Sequence, residues 1–346
     1  MKSLSKCISD IKSSKNIAIF THLDPDADAL ASAVALKKLI KNNLPDSDKI
    51  IDLFFDYSEL SETVGAIIKG VAHNVVRCNH YDLSIALDCA SASRLGRWQE
   101  LFNASPIRVN FDHHITNENF ADNNLILKTS STCEGIYLVA KAKNLTIADD
   151  ICSLIYSGII TDTNNLTQGT ITAQTHKIIA EMLERKINLD ALNQHFFKNN
   201  TKSNTFLLKK ALESLKFYSD DRIAVMRLSK ENLSSCEAGK DDTLGIVNHG
   251  IEINGVDIAI LSIRQEDDSY YVSLRSKNNV SVANIATKMG GGGHDQVAAF
   301  QYTGNFSEMF EKLLSACKEE LDAHKNEENG ELLFVGDDED EIKIKN

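Results

Sequence analysis

Short apolar runs alternate along the chain with longer stretches in which apolar residues recur every three or four positions. NIAIF (16–20) reads as a buried strand, and ADALASAVALKKLI after it as a helix whose Ala29, Ala33, Leu36 and Ile40 share one face. KIIDLFF is strand-like, as are LSIALD (83–88) and IRVNFD (107–112), the last two separated by a stretch with a short helix around 95–102. Such alternation predicts an open α/β sheet, largely parallel, with helices on both faces. In CSLIYSGIITDTNNL the apolar segment before Asp162 reads as a helix, and from about 175 to 218 the pattern stays helical. The strand-like runs RIAVMRL, VDIAILSIR and YYVSLRS follow, then a short helix over 282–288, the loop GGGGHD and a return strand VAAFQY.

This change of rhythm divides a 346-residue chain, long for a single core. Expected are a mostly parallel α/β domain over 1–190, a helical linker over 191–219, a smaller α/β domain over 220–324, and a solvated acidic tail over 325–346. No apolar run is long enough for a signal peptide or a membrane span, which predicts a cytosolic protein without a membrane partner. The seven cysteines show neither CxxC nor CxxH spacing, so they read as small buried residues, and any metal has to be held by nitrogen and oxygen. Acids outnumber bases by 49 to 37, with no Lys/Arg stripe to follow a long phosphate backbone. A phosphorylated substrate should therefore be small.

Ligands of open α/β sheets bind beyond the carboxyl ends of the strands. There the acidic and imidazole residues collect: His22, Asp24, Asp26 and Asp28 after the first strand, Asp88 after LSIAL, Asp112, His113 and His114 after IRVNF, with Asp162 after a later apolar segment. Asp24, Asp26 and Asp28 imitate an EF-hand start, but Ala29 and Ala35 replace the required glycine and glutamate, which rejects calcium. Capping of the following helix accounts for one aspartate rather than three and a histidine. In the second half, Gly291, Gly292 and Gly293 lie between a helix and a strand and end in His294; bare backbone N–H groups there suit an anion.

HLDPDADALAS (22–32), LDCA (87–90), DHH (112–114), GIITDT (158–163), SLRS (273–276) and GGGGH (290–294), in this order, resemble the DHH phosphoesterases, in particular the DHH–DHHA1 branch and its nanoRNase and adenosine 3′,5′-bisphosphate (pAp) phosphatase group. The resemblance spans about residues 10 to 305. It implies an N-terminal DHH domain, a C-terminal DHHA1 domain and two divalent metals. His22 and Asp26 would hold one ion, Asp28, His113 and Asp162 the other, and Asp88 both, with Asp24 outside the set. Oxygen and imidazole donors suit Mn²⁺, with Mg²⁺, Co²⁺ and Fe²⁺ also compatible. A water shared by two cations becomes a hydroxide near neutral pH and attacks phosphorus.

Asp88 and His114 are the implied catalytic residues; His114, Arg275, His294 and the glycines 291–293 are the implied substrate contacts. The implied active site lies in a cleft between the domains, and the implied reactions are hydrolysis of very short RNA to mononucleotides and of pAp to AMP. Ala31 and the run Val297 to Phe300 depart from the family pattern, in both places where glycine is expected. Competing readings are a hydrolase of linear or cyclic dinucleotide signals, a single-strand exonuclease, a family II pyrophosphatase and a non-catalytic nucleotide sensor. Direction of cleavage and oligomeric state stay open, a homodimer being one option.

Overall fold

The computed structural model describes residues 2–44, 48–58, 60–239, 241–265, 267, 269–277 and 280–323, without the side chains of 2, 3 and 294. The acidic tail expected over 325–346 lies outside the described residues. The chain forms two compact units, Met1–Asn200 and Thr201–Asn346.

In the first unit, β1 (Asn16–Phe20), β2 (Ile50–Phe54), β3 (Leu83–Leu87), β4 (Ile107–Asp112) and β5 (Asn123–Ile126) make an all-parallel sheet in the order β2-β1-β3-β4-β5. Its helices are α1 (Lys2–Ser13), α2 (Ala27–Asn43), α3 (Glu62–Gly65), α4 (Gln99–Asn103), α5 (Thr132–Ala142), α6 (Asp149–Asp162), α7 (Ala173–Glu184) and α8 (Leu189–Phe197). Both faces are covered, as a parallel sheet requires. Ile17, Ile19, Leu83 and Ile85 pack with the apolar stripes of α2, α5 and α6, while Ala18, Phe20, Phe54 and Ala86 pack on the other side with Leu95 and Phe102. The strand order reverses at β1, leaving a crevice between the carboxyl ends of β1 and β3.

The second unit holds α9 (Lys202–Glu213), β6 (Lys216–Tyr218), β7 (Ile223–Leu228), α10 (Lys230–Ser235), α11 (Asn248–Ile251), β8 (Ile258–Arg264), β9 (Ser269–Ser276), α12 (Val282–Lys288), β10 (Gly292–His294), β11 (Val297–Thr303) and α13 (Phe306–Ala323). Its sheet runs β10-β11-β9-β8-β7-β6 and is antiparallel except for the β7–β8 pair. Residues of α12 and α13 bury one face; α9 and α11 bury the other.

Three expectations are revised. The helix read through residue 218 stops at Glu213, because Ser219, Asp220 and Asp221 all take positive φ and fold Lys216–Tyr218 back against β7 as a hairpin. The 191–219 stretch is shared between the units: α8 buries Leu189 in the first core, and α9 buries Leu207 and Ala211 in the second. GGGGHD is not a free loop, since Gly292–His294 pairs with Val297–Ala299 as β10. The helices α1, α5 and α13 were not foreseen from the pattern. The seven cysteines are free and six are buried, and no helix of the described residues is long and apolar enough to cross a membrane.

Candidate metal centre

Five segments bring six side chains together at the β1/β3 crevice. His22, Asp26 and Asp88 offer ligand atoms within 4.8 Å of one another, and Asp28, His113 and Asp162 do the same. Asp88 lies between these triads: one carboxylate oxygen is 3.7 Å from His22 Nε2, the other 3.5 Å from His113 Nε2. Asp162 Oδ2 is 3.2 Å from His113 Nε2, and Asp26 Oδ2 is 3.8 Å from His22 Nε2. Asp24 turns away, its Oδ1 accepting from Ser58 N at 3.3 Å.

Each side chain is held by its local structure. Asp26 is the N-cap of α2, and its Oδ1 accepts from Ala29 N at 3.0 Å while Oδ2 faces His22. Capping and ligation are thus not alternatives for this residue. Asp28 is buried one turn later, where its two oxygens accept from Thr132 N (2.7 Å) and Cys133 N (3.0 Å), the first amides of α5. Gly158 on α6 makes room for it, since a Cβ there would lie 2.3 Å from Asp28 Oδ1. Asp88 follows β3 with φ +56, a left-handed conformation that costs a non-glycine residue about 1 kcal/mol or more and that turns its carboxylate into the crevice. Thr132 Oγ1 donates to it at 2.9 Å.

The imidazoles are oriented from behind. His22 Nδ1 lies 2.9 Å from Leu23 O and His113 Nδ1 3.3 Å from Thr129 O, so an Nδ1–H on each leaves the Nε2 lone pair for the site. His114 Nδ1 is 2.7 Å from Asp112 Oδ1, and Asp112 is wholly buried, also accepting from His113 N (2.8 Å) and Asn117 Nδ2 (2.6 Å). This leaves Nε2 of His114 outside the Asp112 contact; Asp112 and His114 also form, with Asp88 and His113, a third group whose ligand atoms lie within 4.8 Å of one another. Arg94 Nη2, which can only donate, is 3.1 Å from His22 Nδ1 and hydrogen-bonds it only in the other tautomer, so it competes with the Nδ1–H form.

The electrostatics are those of crowded negative charge. Burial, then the charge of Asp88, pushes the Asp28 carboxyl up to about 7. Asp162 is raised well above the usual carboxylate range by burial, with Asp28 and Asp88 adding to it. Burial alone would lower His22, but Asp26 and Asp88 reverse this and raise it to about 9. Asp88 moves the other way: burial opposes its ionisation, and the His113 hydrogen bond with three imidazole charges outweighs that. Four carboxylates and two neutral-capable imidazoles, five of the six anchored from outside the site, make a donor set that fits a pair of divalent cations.

Sequence reasoning missed Thr132, Gly158, Arg94 and the work of Asp112. A signal existed for the first of these: Ser131 and Glu134 stand in the S-x-x-E spacing of a helix start, and Ser131 Oγ does accept from Glu134 N at 3.0 Å.

The second unit shows different geometry. Arg275 on β9 is half-buried; its Nε donates to Asn248 Oδ1 (3.2 Å) and Nη1 to Leu274 O (2.9 Å), leaving Nη2 outward of these bonds. Gly290 closes α12 at φ +84. A Cβ at Gly291 would meet Ala299 O at 2.2 Å and one at Gly293 would meet Val297 O at 2.4 Å, whereas Gly292 has open space. Close pairing with β11 thus requires glycine at 291 and 293. The His294 side chain lies outside the described atoms.

Residues 16–159 match the model of the DHH family, N-terminal domain, and residues 221–323 match that of the DHHA1 domain. The chain is 26% identical to the bifunctional oligoribonuclease and PAP phosphatase NrnA of Thermus thermophilus, over 88% of this chain and 90% of the relative. It is 28% identical to the probable bifunctional oligoribonuclease and PAP phosphatase NrnA of Streptococcus mutans, over 85% and 92%. Among solved structures, an exopolyphosphatase-related protein from Bacteroides fragilis shares the fold with a TM-score of 0.81 at 21% identity, over 92% of this chain and 96% of that one.

Proposed function

The chain belongs to the DHH family, carries a DHHA1 domain and is a hydrolytic enzyme, and from that premise we propose that it cleaves very short oligoribonucleotides to mononucleotides and converts pAp to AMP. One observation carries the reading: the Asp88 carboxylate, a member of one ligand triad and 3.5 Å from His113 of the other, lies at the crevice where an open parallel sheet receives its ligand.

In this reading His22 and Asp26 would hold one divalent ion and Asp28, His113 and Asp162 a second, with the Asp88 carboxylate within reach of both groups. A bound pair of Mn²⁺ ions supplies an acidified water and neutralises charge on the phosphoryl oxygens. Asp112 favours the protonated form of His114, whose pKa is raised because the Asp112 hydrogen bond and the nearby carboxylates outweigh burial. His114 Nε2–H then donates to the phosphate. Within the second unit, Arg275 and the Gly291–Gly293 backbone would serve as phosphate donors, where a guanidinium is worth more than a lysine through its planar fork. A short anionic substrate also agrees with a net charge of −12, which disfavours a long nucleic acid.

Purified full-length protein with Mn²⁺ tests this against a dinucleotide, pAp, a cyclic dinucleotide, pyrophosphate and a long single strand. The expected result is turnover of the first two, abolished by chelator and restored by Mn²⁺. Equal turnover of the long strand, or turnover confined to the cyclic dinucleotide or pyrophosphate, overturns it.

A further inference from the structure

Within the first unit, α1, α2 and α5 enclose a cavity of about 160 Å³ against one face of the sheet. Leu39 on α2, Ile136 on α5, and Ile85 and Phe111 on the strands form its floor and sides. Its roof is α1, whose Leu4, Cys7, Ile8 and Ile11 make one helical stripe. Of these four only Cys7 is buried; Leu4, Ile8 and Ile11 stay half-buried over volume that no side chain fills. Unfilled volume in a core costs stability in proportion to its size. An apolar cavity of about 150 Å³ stays dry and takes a benzene-sized guest, so this one has room for roughly six carbon atoms.

The polar wall residues gather at the ends of the helices. Lys12 lies in the last turn of α1, Asn43 is the last residue of α2, and Lys143 caps α5. Asn43 is already engaged: its Oδ1 accepts from Thr146 N at 2.7 Å and its Nδ2 donates to Thr146 O at 2.9 Å, which ties the exit of α5 to the end of α2. The ammonium groups of Lys12 and Lys143 make no ion pair or hydrogen bond among the described residues. No carboxylate lines the cavity, although acids outnumber bases by 49 to 37 in the chain. Two cations at the mouth of an otherwise apolar space complement an anion that carries an apolar tail.

This site is distinct from the metal centre. The α2 helix starts at Asp26 in that centre and runs 17 residues, so its Asn43 end lies roughly 25 Å away along the axis.

We propose that the cavity is a binding site for a medium-chain fatty carboxylate, with the alkyl end held between α1, α2 and α5 and the carboxylate held by Lys12 and Lys143. The reading does not depend on what the metal centre hydrolyses.

Calorimetric titration of the full-length protein with sodium octanoate, in chelator so that no metal takes the carboxylate, tests the assignment together with hydrogen exchange read by mass spectrometry. Octanoate is expected to bind a single site at least tenfold tighter than butanoate, because each added methylene is buried. Exchange should slow in peptides from α1 and from residues 136–145. The variant carrying K12Q and K143Q should weaken octanoate at least fivefold and leave octan-1-ol binding unchanged; both side chains are exposed, so the fold tolerates them. Ile8→Phe, which fills the space from α1, should abolish binding of octanoate and octan-1-ol alike with no fall in melting temperature. Equal binding of octanoate and butanoate, protection confined to other segments, or octanoate affinity kept by either variant would overturn the proposal. If Ile8→Phe lowers the melting temperature, Val139→Phe fills the same space from α5 and is read in its place.

Discussion

The two units arrange their charged side chains on different kinds of sheet. The first uses a parallel sheet, whose strands all point their carboxyl ends the same way, and so gathers acidic residues from distant segments at one crevice. The second uses a mixed sheet whose face carries arginines in register with serines and aromatic rings. Parallel topology concentrates loops at one edge, where many donor side chains can meet, whereas cross-strand register in the mixed sheet spaces side chains evenly along a face. The contrast predicts that damage in the first unit falls on turnover and damage in the second on binding.

Replacing Asp88 with Asn is the largest test of that division. The carboxylate proposed to serve both metal positions is lost, and kcat should fall on the order of a thousandfold or more with little change in KM. A fall confined to KM would break the comparison. Gly158→Ala comes next: a methyl group 2.3 Å from Asp28 Oδ1 must displace that carboxylate. Activity at limiting Mn²⁺ should drop roughly tenfold to a hundredfold, the size seen when the support of a ligand is removed, and excess Mn²⁺ should recover part of it. Arg275→Ala should raise KM for a dinucleotide by about tenfold to a hundredfold, the worth of a charged hydrogen bond, and leave kcat nearly unchanged. The smallest effects separate the glycines by denaturant unfolding. Gly291→Ala, forced against Ala299 O, should cost about 1–3 kcal/mol. Gly292→Ala, facing open space, should stay within about 0.5 kcal/mol, so any loss of substrate affinity there reports on the anion and not on the fold.

Much of the first unit can be read from the chain because a parallel strand buried on both faces is an apolar run, and the residue just past it is where chemistry sits. Asp88 and Asp112 end such runs, and His22 and Asp26 follow one. What stayed hidden is long-range. Asp28 meets Thr132 N across 104 positions, and no local spacing announces that contact. In the second half the failures are of conformation: KFY after a helical stripe continues the helix by composition, and only the positive-φ turn at 219–221 makes it a strand. Four glycines look slack in sequence, yet two of them are demanded by the closeness of β11.

The grip of two α5 amides on Asp28 has a kinetic corollary. In the proposed metal centre its carboxylate would be fixed before an ion arrives, so that loading would involve no search by this side chain and would be paced by how fast the ion sheds its own hydration shell. Between ions of equal charge, the one that dehydrates less reluctantly charges the enzyme first, whatever the final order of affinities.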